Sequence, residues 1–246
     1  METRPPYRIT RRTLLGGAAV LGPPALAALA QPAGETSGPA GGLHGGMTTV
    51  GEVDHGRNGF DPHHILTDWD GGTVSRDGAG RTVREFDIIA EDKEIEIAPG
   101  IFFPAWTYNG RVPGPTLRVT EGDRVVVRFR NRGTHPHTIH FHGIHGARMD
   151  GVPGVGEVKP GDEFTYEFDA FPFGCHLYHC HSVPLKRHIH KGLYGGFIVD
   201  PDPARHPGAE GIARSRLLGT AENAAWQEMV MVMNGFDTNF DGENEI

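Results

Sequence analysis

A chain of 246 residues has room for one large domain or two small ones. Its 36 Gly and 19 Pro, together about 22% against an average near 12%, disfavour a helical bundle and suit short strands joined by turns. A net charge of −8 argues against nucleic acid as a partner, two Cys cannot build a disulfide framework, and no apolar run reaches the ~18 residues of a membrane-spanning helix.

At the N-terminus, Thr10-Arg11-Arg12-Thr13-Leu14-Leu15 sets paired arginines before the apolar stretch Leu14 to Ala30, and Ala28-Leu29-Ala30 has the A-x-A form of a cleavage site. Residues 1–30 are therefore predicted to be a twin-arginine export signal, with the mature protein in the periplasm or outside the cell and no membrane span left after removal. Loss of four Arg and one Glu would take the net charge from −8 to −11. Residues 31–84, rich in Gly, Thr and polar groups with His44, Met47 and His55 among them, are expected to form a flexible lead-in.

From Glu85 the pattern alternates at period two, the strand signature: Glu85 to Ala90, Lys93 to Ala98, Leu117 to Val119, Val125 to Arg130, Phe164 to Phe168 and Gly196 to Val199. Asn109-Gly110, Pro113-Gly114-Pro115 and Glu121-Gly122-Asp123 supply turns between them. Strands of this length at this spacing predict an all-β antiparallel sandwich or barrel. Ala204 to Trp226 loses the alternation and is predicted to be a connector; Met229 to Met233 then begins a new strand, as though a second domain started there. Asp237 to Gly242 resembles the opening of a calcium loop whose closing acidic residue would fall past the last residue given, and a strand-connecting turn is the expectation.

Of the 15 histidines, those from His135 to His190 form two dense groups. On a strand, residues two apart share a face and odd separations lie on opposite faces. His140 and His142 thus point one way and His137 the other; His179 and His181 share a face and Cys180 opposes them. Pairing the two segments creates two metal sites back to back. One gathers His140, His142, His179 and His181. The other has His137 and Cys180, and His188 would complete a His₂Cys set of the kind that selects blue copper, with His190 the competing third ligand. Zinc is disfavoured, because a Cys flanked by His along one strand cannot turn all three to one ion. Leu193 stands where a weak axial Met is often found and cannot ligate. Cys175, at odd separation from Cys180, is expected to be a small buried residue outside any disulfide.

The motifs Asn109-Gly110-x-x-Pro113-Gly114-Pro115, Glu121-Gly122-Asp123-x-Val125-x-Val127, His137-x-x-His140-x-His142-Gly143 and His179-Cys180-His181 resemble, in kind and order, those of the multicopper oxidases over residues 85–201. The resemblance is to the two-domain, laccase-like members whose type 1 copper lies in the N-terminal domain. It implies a cupredoxin-like Greek-key β-sandwich over residues 85–203, with 204–246 a linker and the first strand of a truncated second cupredoxin domain. It also implies a homotrimer and a trinuclear copper cluster shared with a second domain. On it, His137, Cys180 and His188 hold type 1 copper with Leu193 axial, His140 holds type 2, and His142, His179 and His181 hold the type 3 pair. Cys180 is the electron bridge between them, and Asp150 is the acid that feeds protons to the cluster. The implied reaction couples oxidation of a small reducing substrate (a phenol, an aromatic amine or a low-valent metal ion) to reduction of O2 to water. No further H-x-H pair follows His190 to supply the family's other four cluster ligands. A copper-containing nitrite reductase, which lacks the type 3 pair, and a non-catalytic electron-transfer module are the competing functions.

Overall fold

Period-two burial divides the strands into two sheets in this computed structural model, which describes residues 51–207 and 229–238. The predicted export signal, the predicted lead-in before residue 51 with His44 and Met47, most of the predicted connector, and Asn239 to Gly242 of the calcium-like loop lie outside the described residues. One sheet runs β1 (Trp69–Asp70), β5 (Thr116–Thr120), β10 (Tyr194–Asp200), β9 (Gly174–His179), β7 (His140–Phe141). The other runs β2 (Thr73–Arg76), β3 (Thr82–Ala98), β6 (Arg124–Asn131), β8 (Glu163–Asp169), with β4 (Ile101–Tyr108) also on β3. The fold is all-β and cupredoxin-like.

Phe86, Ile88, Val127, Phe129, Tyr166 and Phe168 of the second sheet meet Leu117, Val119, Phe141, Tyr178 and Phe197 of the first in one buried core. Glu85 to Ala90 and Lys93 to Ala98, predicted as two strands, form the single 17-residue β3. It is long enough to pair β2 at its start and β4 at its end. The ladder is also not purely antiparallel: β1 with β5, β5 with β10 and β3 with β6 run parallel. Alternation reports which face is buried, not which neighbour a strand chooses, and the β3 to β6 connection spans two intervening strands. Asn109 and Gly110 both have positive φ, at 53° and 70°, as the two-residue turn joining Tyr108 to Arg111 requires.

Two expectations are corrected. Residues 51–84 are not a flexible lead-in. They form α1 (His55–Asn58), α2 (Pro62–Ile65), β1 and β2, and they are sewn to β3. Asn58, 2% exposed, donates to the Glu96 carbonyl at 2.9 Å and accepts from the Glu96 amide at 2.8 Å. The Glu96 carboxylate accepts from the amides of Gly100 and Asp54, which hold it below the usual carboxylate range. Polar composition concealed this docking because much of it is backbone pairing of β1 with β5 and β2 with β3 and one buried amide side chain, with no apolar stripe to announce it. Second, Met229 to Met233 forms no strand; Val230 N donates to Leu66 O at 2.9 Å, and Met229, Met231 and Met233 face solvent. Alternation specifies an extended backbone, whereas a strand also needs a ladder partner.

Replacing Asn58 with Ala leaves the buried amide and carbonyl of Glu96 unpaired. It should lower the unfolding free energy by about 2–3 kcal/mol, read from denaturant midpoints, and speed proteolysis around residues 51–60.

Candidate metal centre

Strand β9 delivers Tyr178 and Cys180 to the core, both fully buried, and His179 to the other side of the sheet. Beyond Cys180 the chain turns through α3 (Leu185–His190) and returns as β10; Cys180 N donates to Leu193 O at 3.0 Å. That excursion carries His188 back to Cys180. His137 lies just before β7, in an isolated bridge with Val158.

Three ligand atoms meet inside the sandwich. His137 Nδ1 and His188 Nδ1 are 3.1 Å apart, His188 Nδ1 is 3.2 Å from Cys180 Sγ, and His137 Nδ1 is 3.8 Å from it. A circle through these atoms has a radius of about 2 Å, the length of metal bonds to imidazole nitrogen and thiolate sulfur. His137 and His188 are 0% and 2% exposed. Burial, reinforced by neighbouring imidazoles, pushes His137 down to about 3; burial, reinforced by His135 and Arg187, pushes His188 down to about 4. Both rings therefore stay neutral at ordinary pH and offer lone pairs. Burial pushes the Cys180 thiol up, opposed by hydrogen bonds from Thr138 and Ser182. Thr138 N donates to Sγ at 3.3 Å. Two neutral imidazole nitrogens and a sulfur converging in a dry site are poorly matched to one another and well matched to one soft, positively charged ion, so the donor set fits copper. Leu193, 0% exposed and packed in the same core, is the residue bonded to Cys180 through the backbone. His190, on the last turn of α3, is not among the three converging groups.

On the reverse of the sheet, ligand atoms of His140, His142 and His179 all lie within 4.8 Å of one another. His142 Nε2 is 2.7 Å from His179 Nε2, and the His181 ring is 5.1 Å from that of His140 and stacked on that of His179 at 5.7 Å. Burial pushes His179 down to about 4 and lowers His142 as well, the neighbouring histidines adding to it. The group is open on one side: His142 is exposed, and His140 and His181 are half-buried. His140 Nδ1 is 2.5 Å from the Asp150 carbonyl and 3.2 Å from Asp150 Oδ1, which leaves Nε2 as its ligand atom.

The two sites are tied through backbone and hydroxyl. His179 Nδ1 lies 2.8 Å from the Cys180 carbonyl. Thr138 Oγ1 accepts from the His181 amide at 2.7 Å and is 3.8 Å from Cys180 Sγ.

Cys175 is exposed rather than buried, because it shares the outward parity of β9 with Leu177, 47% exposed; it is a free thiol. Two residues with a place at the sites had no signal in the spacing. His145 brings its ring 5.4 Å from His140 and its Nε2 3.6 Å from Asp150 Oδ1; it follows Gly143, where strand parity no longer applies. Trp106 of β4 packs on the rings of His137 and His188 at 5.2 and 4.8 Å, a contact between distant segments that no local pattern encodes.

Comparison with known proteins bears on this geometry. Residues 90–204 match the family model for multicopper oxidase. A crystal structure of a multicopper oxidase is 61% identical, with a TM-score of 0.59 over 61% of this chain and 53% of that one. Copper-containing nitrite reductase of Neisseria meningitidis is 37% identical over 112 residues, 45% of this chain and 28% of the relative. Copper resistance protein A of Escherichia coli is 37% identical over 126 residues, 50% of this chain and 20% of the relative. The chain thus spans only about a quarter of the length of these curated relatives. The family match covers every residue of both histidine groups and Cys180, so the domain that they build is similar to the multicopper oxidases.

Proposed function

We propose that this domain is the copper-bearing half of a laccase-like oxidase, in which one-electron oxidation of a small reductant is coupled to four-electron reduction of O2 to water. The observation that carries the reading is the second imidazole group. His140, His142, His179 and His181 stand directly behind the Cys180 site, which is more than a mononuclear electron carrier needs.

His137, Cys180 and His188 would hold type 1 copper with Leu193 at the axial position. His140 would hold type 2 copper, and His142, His179 and His181 would hold the type 3 pair. Bound in this way, copper supplies one-electron storage at the sulfur and multi-electron chemistry toward O2 at the cluster. The chain itself supplies the wiring and the proton path. Cys180 and its two covalent neighbours span both sites, so an electron leaving the sulfur needs to cross only the Cys180 backbone to reach an imidazole on the other face. Thr138 clamps the span through Sγ and the His181 amide. Asp150 holds the His140 ring through its carbonyl and places its carboxylate beside His140 and His145, where it can take up and pass a proton at Oδ1. The outward opening at His142 is the place for the remaining ligands, from a second domain of a neighbouring subunit in a homotrimer. The paired arginines and A-x-A site support export by the twin-arginine route to the periplasm or beyond. Among the described residues no helix is long and apolar enough to cross a membrane.

Nitrite reduction is the second reading, favoured by the similarity to copper-containing nitrite reductase. His181, stacked on His179 in the outer group, argues for the oxidase, since only a type 3 pair calls for both.

Copper-loaded protein carrying any second domain should consume O2 with a phenol and leave nitrite untouched under reducing conditions; nitrite loss without O2 uptake would reverse the assignment. Cys180→Ser should abolish the intense blue absorption while metal analysis still finds copper in the outer group; a variant that stays blue would remove Cys180 from the site. Leu193→Met, by adding a thioether donor beside the sulfur, should lower the type 1 reduction potential in a redox titration with the blue band retained.

A further inference from the structure

A mononuclear copper site accepts electrons fastest when a ligand ring reaches the surface, because tunnelling falls steeply with distance. Here neither ring does: His137 is 0% and His188 2% exposed. What lies over them is Trp106, its ring 5.2 Å from His137 and 4.8 Å from His188. Its backbone amide donates to the Lys191 carbonyl at the end of α3, fixing it to the same helix that carries His188. The partly exposed His135 packs on Trp106 at 4.5 Å, and Thr134 Oγ1 lies 2.9 Å from His135 Nδ1. These four rings form a continuous run of tilted and edge-on aromatic contacts from the partly exposed His135 to the Cys180 site.

Two cations flank this run of rings. Arg187 lies 5.3 Å and Lys191 Nζ 5.7 Å from the centre of the Trp106 ring. Lys191 also donates to the Pro104 carbonyl at 2.7 Å, and the exposed Lys186 precedes Arg187 on α3. The acid on this side is Asp92, already accepting from Thr134 at its amide and hydroxyl. In a chain of net charge −8, a locally basic face beside this run of aromatic rings is selective.

We propose that Trp106, with His135 outside it, is the port through which electrons reach the Cys180 site, and that Arg187 and Lys191 make it selective for an anionic one-electron reductant. This rests on the copper assignment above. In the step, the reductant loses one electron and the copper held by Cys180 gains it. No bond forms or breaks, and Trp106 couples the two and ends unchanged.

The test uses ferrocyanide as the anionic probe and hexaammineruthenium(II) as the cationic one, with bleaching of the blue band followed by stopped flow. Trp106→Leu should keep the band position and the reduction potential yet bleach several-fold more slowly with either probe, and Trp106→Phe should recover most of the rate. The Arg187→Glu, Lys191→Glu double variant should bleach about tenfold more slowly with ferrocyanide at low salt, lose the salt dependence, and react with the ruthenium complex at least as fast as the parent. In the metal-free chain, copper addition should quench a share of the tryptophan emission that is missing in Trp106→Phe. A Trp106→Leu protein that bleaches at the parental rate overturns the port, as does equal quenching in Trp106→Phe; where Trp106→Leu fails to load copper, a parental bleaching ratio between the two probes in Trp106→Phe together with unchanged quenching does the same. An unaltered ferrocyanide rate in the double variant overturns the selectivity. Absence of any blue band in the parent protein is a different result, which removes the copper assignment and the port with it.

Discussion

The molecule turns on a parity constraint. Along an extended backbone adjacent side chains cannot share a face, so one residue buried in the core forces its two neighbours outward. Cys180 is that residue. Its sulfur is committed to the interior by the packing of Tyr178, Phe141 and Leu193 around the same end of the sandwich. With the sulfur inside, His179 and His181 have nowhere to go but the reverse of the sheet. β7 obeys the same rule in its own strand, where Ile139 and Phe141 are fully buried and His140 and His142 stand behind them. Two sites of different chemistry thus arise from one decision about which side of two paired strands is dry, and register His140↔His179 brings the outer rings level.

Dryness also separates what the two sites can hold. The inner site is closed, with rings that burial keeps neutral and a thiol that burial keeps protonated until a cation displaces the proton. The outer site is half open, with His142 exposed and Asp150 supporting His140 from behind. A closed three-donor pocket holds one ion and changes little between oxidation states, which suits electron storage. An open, imidazole-rich face has room for more than one ion and for a small diatomic substrate, which suits chemistry.

The parity argument is also why so much of the site was readable from the sequence. H-x-H and H-C-H encode faces directly, and the placement of His137, His140, His142, His179, Cys180 and His181 on two sides needs no knowledge of the rest of the fold. His188 was harder, because it reaches Cys180 through a turn and a six-residue helix where strand parity says nothing, and His190 remained a competitor for its place. Trp106 and His145 were invisible for the same reason carried further: their contacts join segments whose separation in the chain has no period. The fold behaved likewise. Strand positions followed from alternation, whereas the parallel pairings and the docking of residues 51–84 depended on long-range partners, such as Asn58 with Glu96, that composition hides.

The openness of the outer group has a consequence for assembly. Four imidazoles, of which only that of His142 is exposed, can each offer one nitrogen, and a cluster of three ions needs more donors than four rings provide. Water could fill some of those positions, but water neither fixes the spacing of the ions nor keeps O2 between them. A second protein surface bearing imidazoles does both. That surface would cover the side on which His142 is exposed, the reverse of the sheet from the Cys180 site against which Trp106 packs. On the proposed reading a reductant would approach the basic aromatic side while a partner domain would occupy the other, so that electron delivery and cluster completion would not compete.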